Sequence, residues 1–314
     1  MAERSFAQRV FERLRTLDNP TVLGLDPDLG RMPAALRAAA AAGPEAAGRV
    51  ILDYNLALLD AVQDIVGFVK PQVACYERHG LAGMEALAAT IRAARERGFL
   101  VIADGKRNDI GSSSAAYAAA WLGGAGDFDA DALTVNAYLG WDGIKPFVDA
   151  CVARGRGIFV LVRTSNPSAT ELQDLELGDG RRVYEAMGDL VAAWNAPHVG
   201  GSGVGGSGVG GSGYGPVGAV VGATWPEQAR KLRQRLPGSL ILVPGYGAQG
   251  ATADDCAASF DERGEGALVN ASRSLMYAWQ KEGREADFAA ATRDEALRMR
   301  DALRLARDRH LGTG

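Results

Sequence analysis

Eight short apolar, β-branched runs recur along the chain, longer Ala-, Leu- and Arg-rich segments of helical period separate them, and polar residues gather just after the runs. Together these observations predict an α/β fold, a closed (β/α)8 TIM barrel. Runs that are apolar throughout suit a parallel sheet covered on both faces, and eight β-α units favour closure over an open sheet. The 314 residues are expected to form one decorated barrel domain spanning 1–314, with a Gly/Ser-rich loop insertion at 199–213.

The N-terminal residues 1–17 alternate Phe6, Val10, Phe11 and Leu14 with Arg4, Arg9, Arg13 and Arg15. That pattern reads as a short amphipathic helix and lacks the apolar run of a signal peptide. The first strand, Val22–Leu25, runs into Asp26-Pro27-Asp28, and a helix over Pro44–Val66 leads to the second strand, Gly67–Val73, which carries Lys70. A helix over Met84–Arg97 precedes the third strand, Leu100–Ala103, which ends in Asp104-Gly-Lys106-Arg-Asn-Asp109-Ile-Gly111. The helix Ser113–Leu122 leads to Ala132–Val135, closed by Asn136, and the helix Ile144–Ala153 leads to Gly157–Val162, closed by Arg163-Thr-Ser165-Asn166. After a helix over Val183–Trp194 come the strand Val217–Gly222, the helix Pro226–Leu236 and the strand Leu240–Val243, which ends in Pro244-Gly245-Tyr-Gly247-Ala-Gln249-Gly250. A helix over Thr252–Ser259, the strand Ala267–Val269 with Asn270-Ala-Ser272-Arg273 behind it, and a long helix near Ala289–Arg309 complete the pattern.

Composition excludes several function classes. With 34 basic and 38 acidic residues and a net charge of −4, no concentrated basic face points to nucleic acid. Three scattered cysteines and three histidines leave no disulfide framework and little material for a metal centre, so neither metal nor cofactor is expected. They suit a reducing cytoplasm. The 41 glycines exceed the usual share of about 7%. Part of the excess is a Val-Gly-Gly-Ser-Gly unit written three times over Val199–Gly213, a coil composition without a core and too polar to enter a membrane. It reads either as an engineered linker or as a natural expansion.

Chemistry collects at the strand ends, where a barrel carries its active site. Residues i and i+2 of an extended chain face one side, so Asp104 and Lys106 are expected to share the mouth with Lys70 from the neighbouring strand. A salt-bridge cluster on an ordinary surface is the bland reading of such charges. At a barrel mouth, charges that must be desolvated stay only if paired, and a paired set suits proton transfer or electrostatic catalysis. Gly245, Gly247 and Gly250 match a dinucleotide fingerprint in form. That fingerprint belongs in the first β-α turn, with an acidic residue closing the next strand, whereas Asn270 closes it here. A phosphate grip made by this loop with Arg273 is the favoured alternative.

The wording Asp104-x-Lys106-x-x-Asp109-Ile-Gly111, with Lys70 upstream and Pro244-Gly-x-Gly-Ala-Gln-Gly250 downstream, resembles the orotidine 5′-phosphate decarboxylase family, in particular its bacterial type 2 branch. Val221-Gly-Ala-Thr224 adds to the likeness, which runs from about Thr21 to Tyr277. The resemblance implies cofactor-independent conversion of orotidine 5′-phosphate to UMP and CO2. It implies a charge array of Lys70, Asp104, Lys106 and Asp109, with Lys106 donating the proton to C6 and Asp104 lying against the substrate carboxylate. Asp109 would reach into the partner's site of a homodimer. Asp26 and Ser113 would hold ribose hydroxyls or nearby groups, Ser165 the pyrimidine, and Gln249 and Arg273 the phosphate, with Gly245 and Gly247 in the gripping loop. Asn166, Ser168 and Ser272 stand where the family commonly carries other residues. A metal-dependent sugar-phosphate enzyme and a non-catalytic nucleotide-binding barrel are the competing readings. Deleting Gly200–Gly211 is expected to leave activity within a few-fold.

Overall fold

The computed structural model describes residues 4–200 and 213–312. Most of the Val-Gly-Gly-Ser-Gly repeat, residues 201–212, lies outside the described residues. Eight parallel strands close into a barrel in sequence order: β1 (Thr21–Leu25), β2 (Phe68–Pro71), β3 (Leu100–Arg107), β4 (Ala132–Val135), β5 (Gly157–Arg163), β6 (Val217–Val221), β7 (Ile241–Val243) and β8 (Ala267–Ala271). β8 pairs back onto β1, Thr21 against Val269, which completes the ring.

Strand alternation divides the core into two layers. Val22, Phe68, Leu100, Ile102, Ala132, Phe159, Leu242 and Leu268 point inward and fill the barrel. Leu23, Val69, Val101, Leu133, Val160 and Val243 point outward and pack under the helices. The N-terminal amphipathic helix, Phe6–Leu17, has a specific place. It starts at a Ser5–Gln8 capping box and buries Phe6, Ala7, Val10 and Phe11 in the inner cluster, closing the N-terminal end of the barrel. Phe6 packs edge-on against Phe159, and Gly157 makes room for it: a Cβ there would stand 2.3 Å from the Phe6 ring. Each such aromatic or aliphatic burial contributes about 1.5–3 kcal/mol. Arg9 ties the helix to Asp131, which also accepts from buried Arg156 at 2.9 Å.

Boundaries differ from the sequence reading mainly at the strand ends. β3 runs four residues past Ala103, since charge alone does not end a strand whose charged residues find partners. β2 stops at Pro71 and gives way to a short helix, Val73–Glu77. The helix Trp141–Arg154 begins ahead of Ile144 and continues through Pro146, while Ala253–Ala257 is shorter than expected, starting at a Thr252–Asp255 capping box. No helix among the described residues is long and apolar enough to cross a membrane.

Candidate active site

One position beyond the apolar inner layer, the same alternation turns Lys70, Asp104, Thr134, Leu161 and Asn270 into the barrel at the C-terminal ends of the strands. There they line a cavity of about 450 Å³ together with Asp26, Ser165, Gly245, Gln249 and Arg273. A larger cavity, about 550 Å³, lies at the opposite end beside Arg9, Arg95, Asp129 and Asp131. Two of its acidic groups are already paired, Asp129 with Arg95 and Arg156 and Asp131 with Arg9 and Arg156.

Asp104 is the centre of the C-terminal cavity. Its Oδ2 accepts from the Lys70 ammonium at 2.7 Å and from Gln72 Nε2 at 2.9 Å. Its Oδ1 accepts from the Lys106 ammonium at 2.6 Å and from the Thr134 hydroxyl at 2.8 Å. Burial alone would push this carboxyl up, but the Lys70 and Lys106 charges outweigh it and hold Asp104 well below the usual carboxylate range. Burial alone would likewise push Lys70 down, and Asp104 with Asp26 instead holds it above the ordinary lysine range. A carboxyl lowered on folding stabilises the fold above its unfolded pKa, near 4, and loses that contribution only as pH falls through the folded value. The Lys70–Asp104 pair therefore stays charged at neutral pH.

Asp104 and Lys106 do face one side, as their spacing predicts, but regular strand geometry is not what brings them together. The β3–β4 register shifts between Ala103 and Arg107, and Lys106 sits at φ 46°, a left-handed conformation that a lysine rarely adopts. Its N–H donates to Thr134 Oγ1 at 3.0 Å, so one hydroxyl fixes both the lysine backbone and the aspartate. Nothing in the sequence singles out Gln72 or Thr134 as site residues. Thr134 was reachable, since it lies two residues beyond inward-facing Ala132 on the same strand face.

Across the cavity, Gly245, Gly247 and Gly250 have φ of 112°, 69° and 92°, conformations in which a side chain would be strained. The loop closes on itself through Gly247 N–H to Ala251 O and Gly250 N–H to Gly247 O. Exposed Arg273 opens a short helix, Arg273–Met276, and its guanidinium donates to Ala248 O at 3.4 Å. Gln249 lies on the same rim, whereas Gly247 belongs to the loop without lining the cavity. Asp26 Oδ1 stands 4.0 Å from the Lys70 ammonium, and this buried oxygen has no hydrogen-bond donor; the same is true of Asn270 Oδ1. Ser165 follows β5, so close to Gly222 that a Cβ there would meet it at 2.8 Å.

Three sequence-derived residues lie elsewhere. Asp109 is half-buried beside the cavity's rim without lining it, its carboxylate accepting from the Ile110 N–H at 2.8 Å. Ser113 is exposed on the helix Gly111–Leu122. Arg163, read among the polar residues ending its strand, is fully buried behind the mouth. The segments flanking Asp109 expose large apolar side chains, Ile110 and Tyr117 on one and Tyr138, Leu139 and Trp141 on the other, among exposed Ser112, Ser113 and Asp142. Among the described residues no group of three or more His, Cys, Asp or Glu side chains is arranged to hold a metal. One wall can thus stabilise charge and move a proton, and the other can hold an anion.

Residues 22–286 match the model of the orotidine 5′-phosphate decarboxylase / HUMPS family. The chain is 41% identical over 310 residues to an orotidine 5′-phosphate decarboxylase of Rhodopirellula baltica, covering 96% of this chain and 99% of that protein. It is also 41% identical over 301 residues to one of Deinococcus radiodurans, covering 95% and 97%. Among solved structures, Leishmania donovani OMP decarboxylase superposes with a TM-score of 0.74 at 29% identity, over 96% of this chain and 99% of that one.

Proposed function

The chain belongs to the orotidine 5′-phosphate decarboxylase / HUMPS family, and from that premise we propose that it converts orotidine 5′-phosphate to UMP and CO2 without a cofactor. One observation carries this reading: Asp104 is clamped between Lys70 and Lys106 on one wall, facing a glycine loop and Arg273 on the other. Decarboxylation breaks the bond from C6 to the carboxylate, leaves the electron pair on C6 and releases CO2. A fixed ammonium beside C6 stabilises the charge that develops there, and Lys106 then gives C6 a proton. Asp104 and Thr134 hold that ammonium in place, and Lys70 keeps Asp104 ionised. Asp26, with an oxygen lacking a donor, suits a ribose hydroxyl. The experiment is direct: purified protein in EDTA and D2O should turn orotidine 5′-phosphate into UMP with deuterium at C6, read by NMR. Unchanged substrate would overturn the proposal, and turnover abolished by EDTA would favour a metal-dependent relative.

Arg273 supplies the charge for the phosphate in this reading. Its replacement by alanine should raise KM by roughly ten- to a hundredfold, the equivalent of about 1.5–3 kcal/mol for a lost charged hydrogen bond. Steady-state kinetics check this.

We further propose a homodimer in which Asp109 completes the partner's site, in a reducing cytoplasm that suits the three free cysteines. The exposed apolar patch of Ile110, Tyr138, Leu139 and Trp141 beside Asp109 supports it. Mixing Asp109→Ala and Lys106→Ala subunits, each inactive alone, should restore about a quarter of wild-type activity, since half of random dimers are mixed and each rebuilds one of its two sites. Continued inactivity of a dimer shown to exchange subunits would contradict a shared site.

A further inference from the structure

β5 breaks its own alternation just before the mouth. Phe159 and Leu161 point inward, one in the core and one lining the cavity, so Arg163 would follow them into the site. The β5–β6 register shifts between Leu161 and Arg163: Leu161 pairs with Val220, yet Arg163 pairs with Val221. One extra residue in β5 reverses the side-chain phase and sends Arg163 outward, under the helices. There it is 0% exposed.

Its guanidinium lies 4.2 Å from the centre of the Trp225 ring and 5.6 Å from that of Tyr184. It donates to Asp174 Oδ2 at 3.1 Å and to Gln173 Oε1 at 3.3 Å. These neighbours hold the next residue from three sides. Gln173 Oε1 accepts from the Thr164 N–H at 2.9 Å, Gln173 Nε2 donates to Thr164 Oγ1 at 2.8 Å, and Trp225 Nε1 donates to Thr164 O at 3.1 Å. Thr224 Oγ1 adds a bond to Ser165 O at 3.2 Å. Thr164, Ser165 and Asn166 all line the cavity. A buried guanidinium is costly to desolvate, and an apolar side chain at an outward strand position would pack more cheaply. What the planar, stacked fork adds is direction.

We propose that Arg163 is a positioning residue for the base-binding side of the cavity: it locks Trp225 and Gln173 together and so fixes the Thr164–Asn166 backbone that faces the pyrimidine. This rests on the proposed function, in which the ring lies between Lys106 and Ser165 and the phosphate at Arg273. The test compares inhibition by UMP with inhibition by ribose 5-phosphate, which lacks the base, in wild-type protein, Arg163→Met and Gln173→Ala. Arg163→Met should weaken UMP by at least about tenfold, as small misplacements of positioning groups do, and leave ribose 5-phosphate within about twofold. Gln173, partly exposed at the end of the short helix Thr170–Gln173, keeps the test available if the buried substitution prevents folding. Its alanine variant should shift UMP in the same direction by about threefold, again sparing ribose 5-phosphate. Parallel weakening of both ligands, or unchanged UMP affinity, overturns the role of Arg163. Absence of wild-type turnover would instead overturn the proposed function.

Discussion

Replacing Lys106 with alanine should lower kcat by at least about a thousandfold, with a much smaller change in KM. The lysine is asked both to stabilise the developing carbanion and to donate its proton, and each role alone is worth about two to four decades. An interaction made chiefly in the transition state appears in kcat, which single-turnover and steady-state assays on the two proteins will separate from binding. The fold should hardly notice. The Lys106 side chain is 45% exposed, and ion pairs open to solvent contribute about 0–1 kcal/mol. A variant that unfolds, or that turns over at the wild-type rate, would show that the lysine has been given the wrong role.

Asp104→Asn should fail differently, losing both activity and stability. Lys70 is nearly enclosed, with 5% of its side chain exposed, and its close counter-charge is Asp104. Removing one partner of a buried pair costs about 3–5 kcal/mol, because the other charge is left behind. The cost should depend on pH with a defined sign. Folding lowers the Asp104 carboxyl, so the wild-type advantage is complete above about pH 4 and shrinks as acid protonates it. Urea unfolding of both proteins at neutral and acidic pH should therefore give a large gap in midpoint at pH 7 and a smaller one in acid. A gap that widens in acid would contradict the assignment.

Much of this molecule is legible in its sequence. A parallel barrel strand is apolar on both faces, so each strand announces itself as an uninterrupted run, and β4 has the predicted bounds. The charged pair Asp104 and Lys106 stood out because charge directly after such a run is unusual. What stayed hidden depends on phase, which periodicity cannot follow across an irregularity. The bulge at β5 turns Arg163 away from the mouth, and no composition signal marks it. Thr134 was hidden for another reason: a threonine inside a strand reads as ordinary β-former until its hydroxyl is seen bridging Asp104 and Lys106. The N-terminal helix read correctly as amphipathic, but its apolar face could not say that it would close the barrel.

The central claim is one of orientation, that the reacting carbon lies over the Lys70–Asp104–Lys106 array and the phosphate lies across the cavity. A crystal structure of the protein with UMP bound tests it most directly. In that complex the Lys106 ammonium should stand within contact distance of C6, with Ser165 facing the pyrimidine edge and the phosphate held by Arg273 and the 245–250 loop. A nucleotide bound the other way round, with its phosphate on the lysines and its base against Arg273, would contradict it.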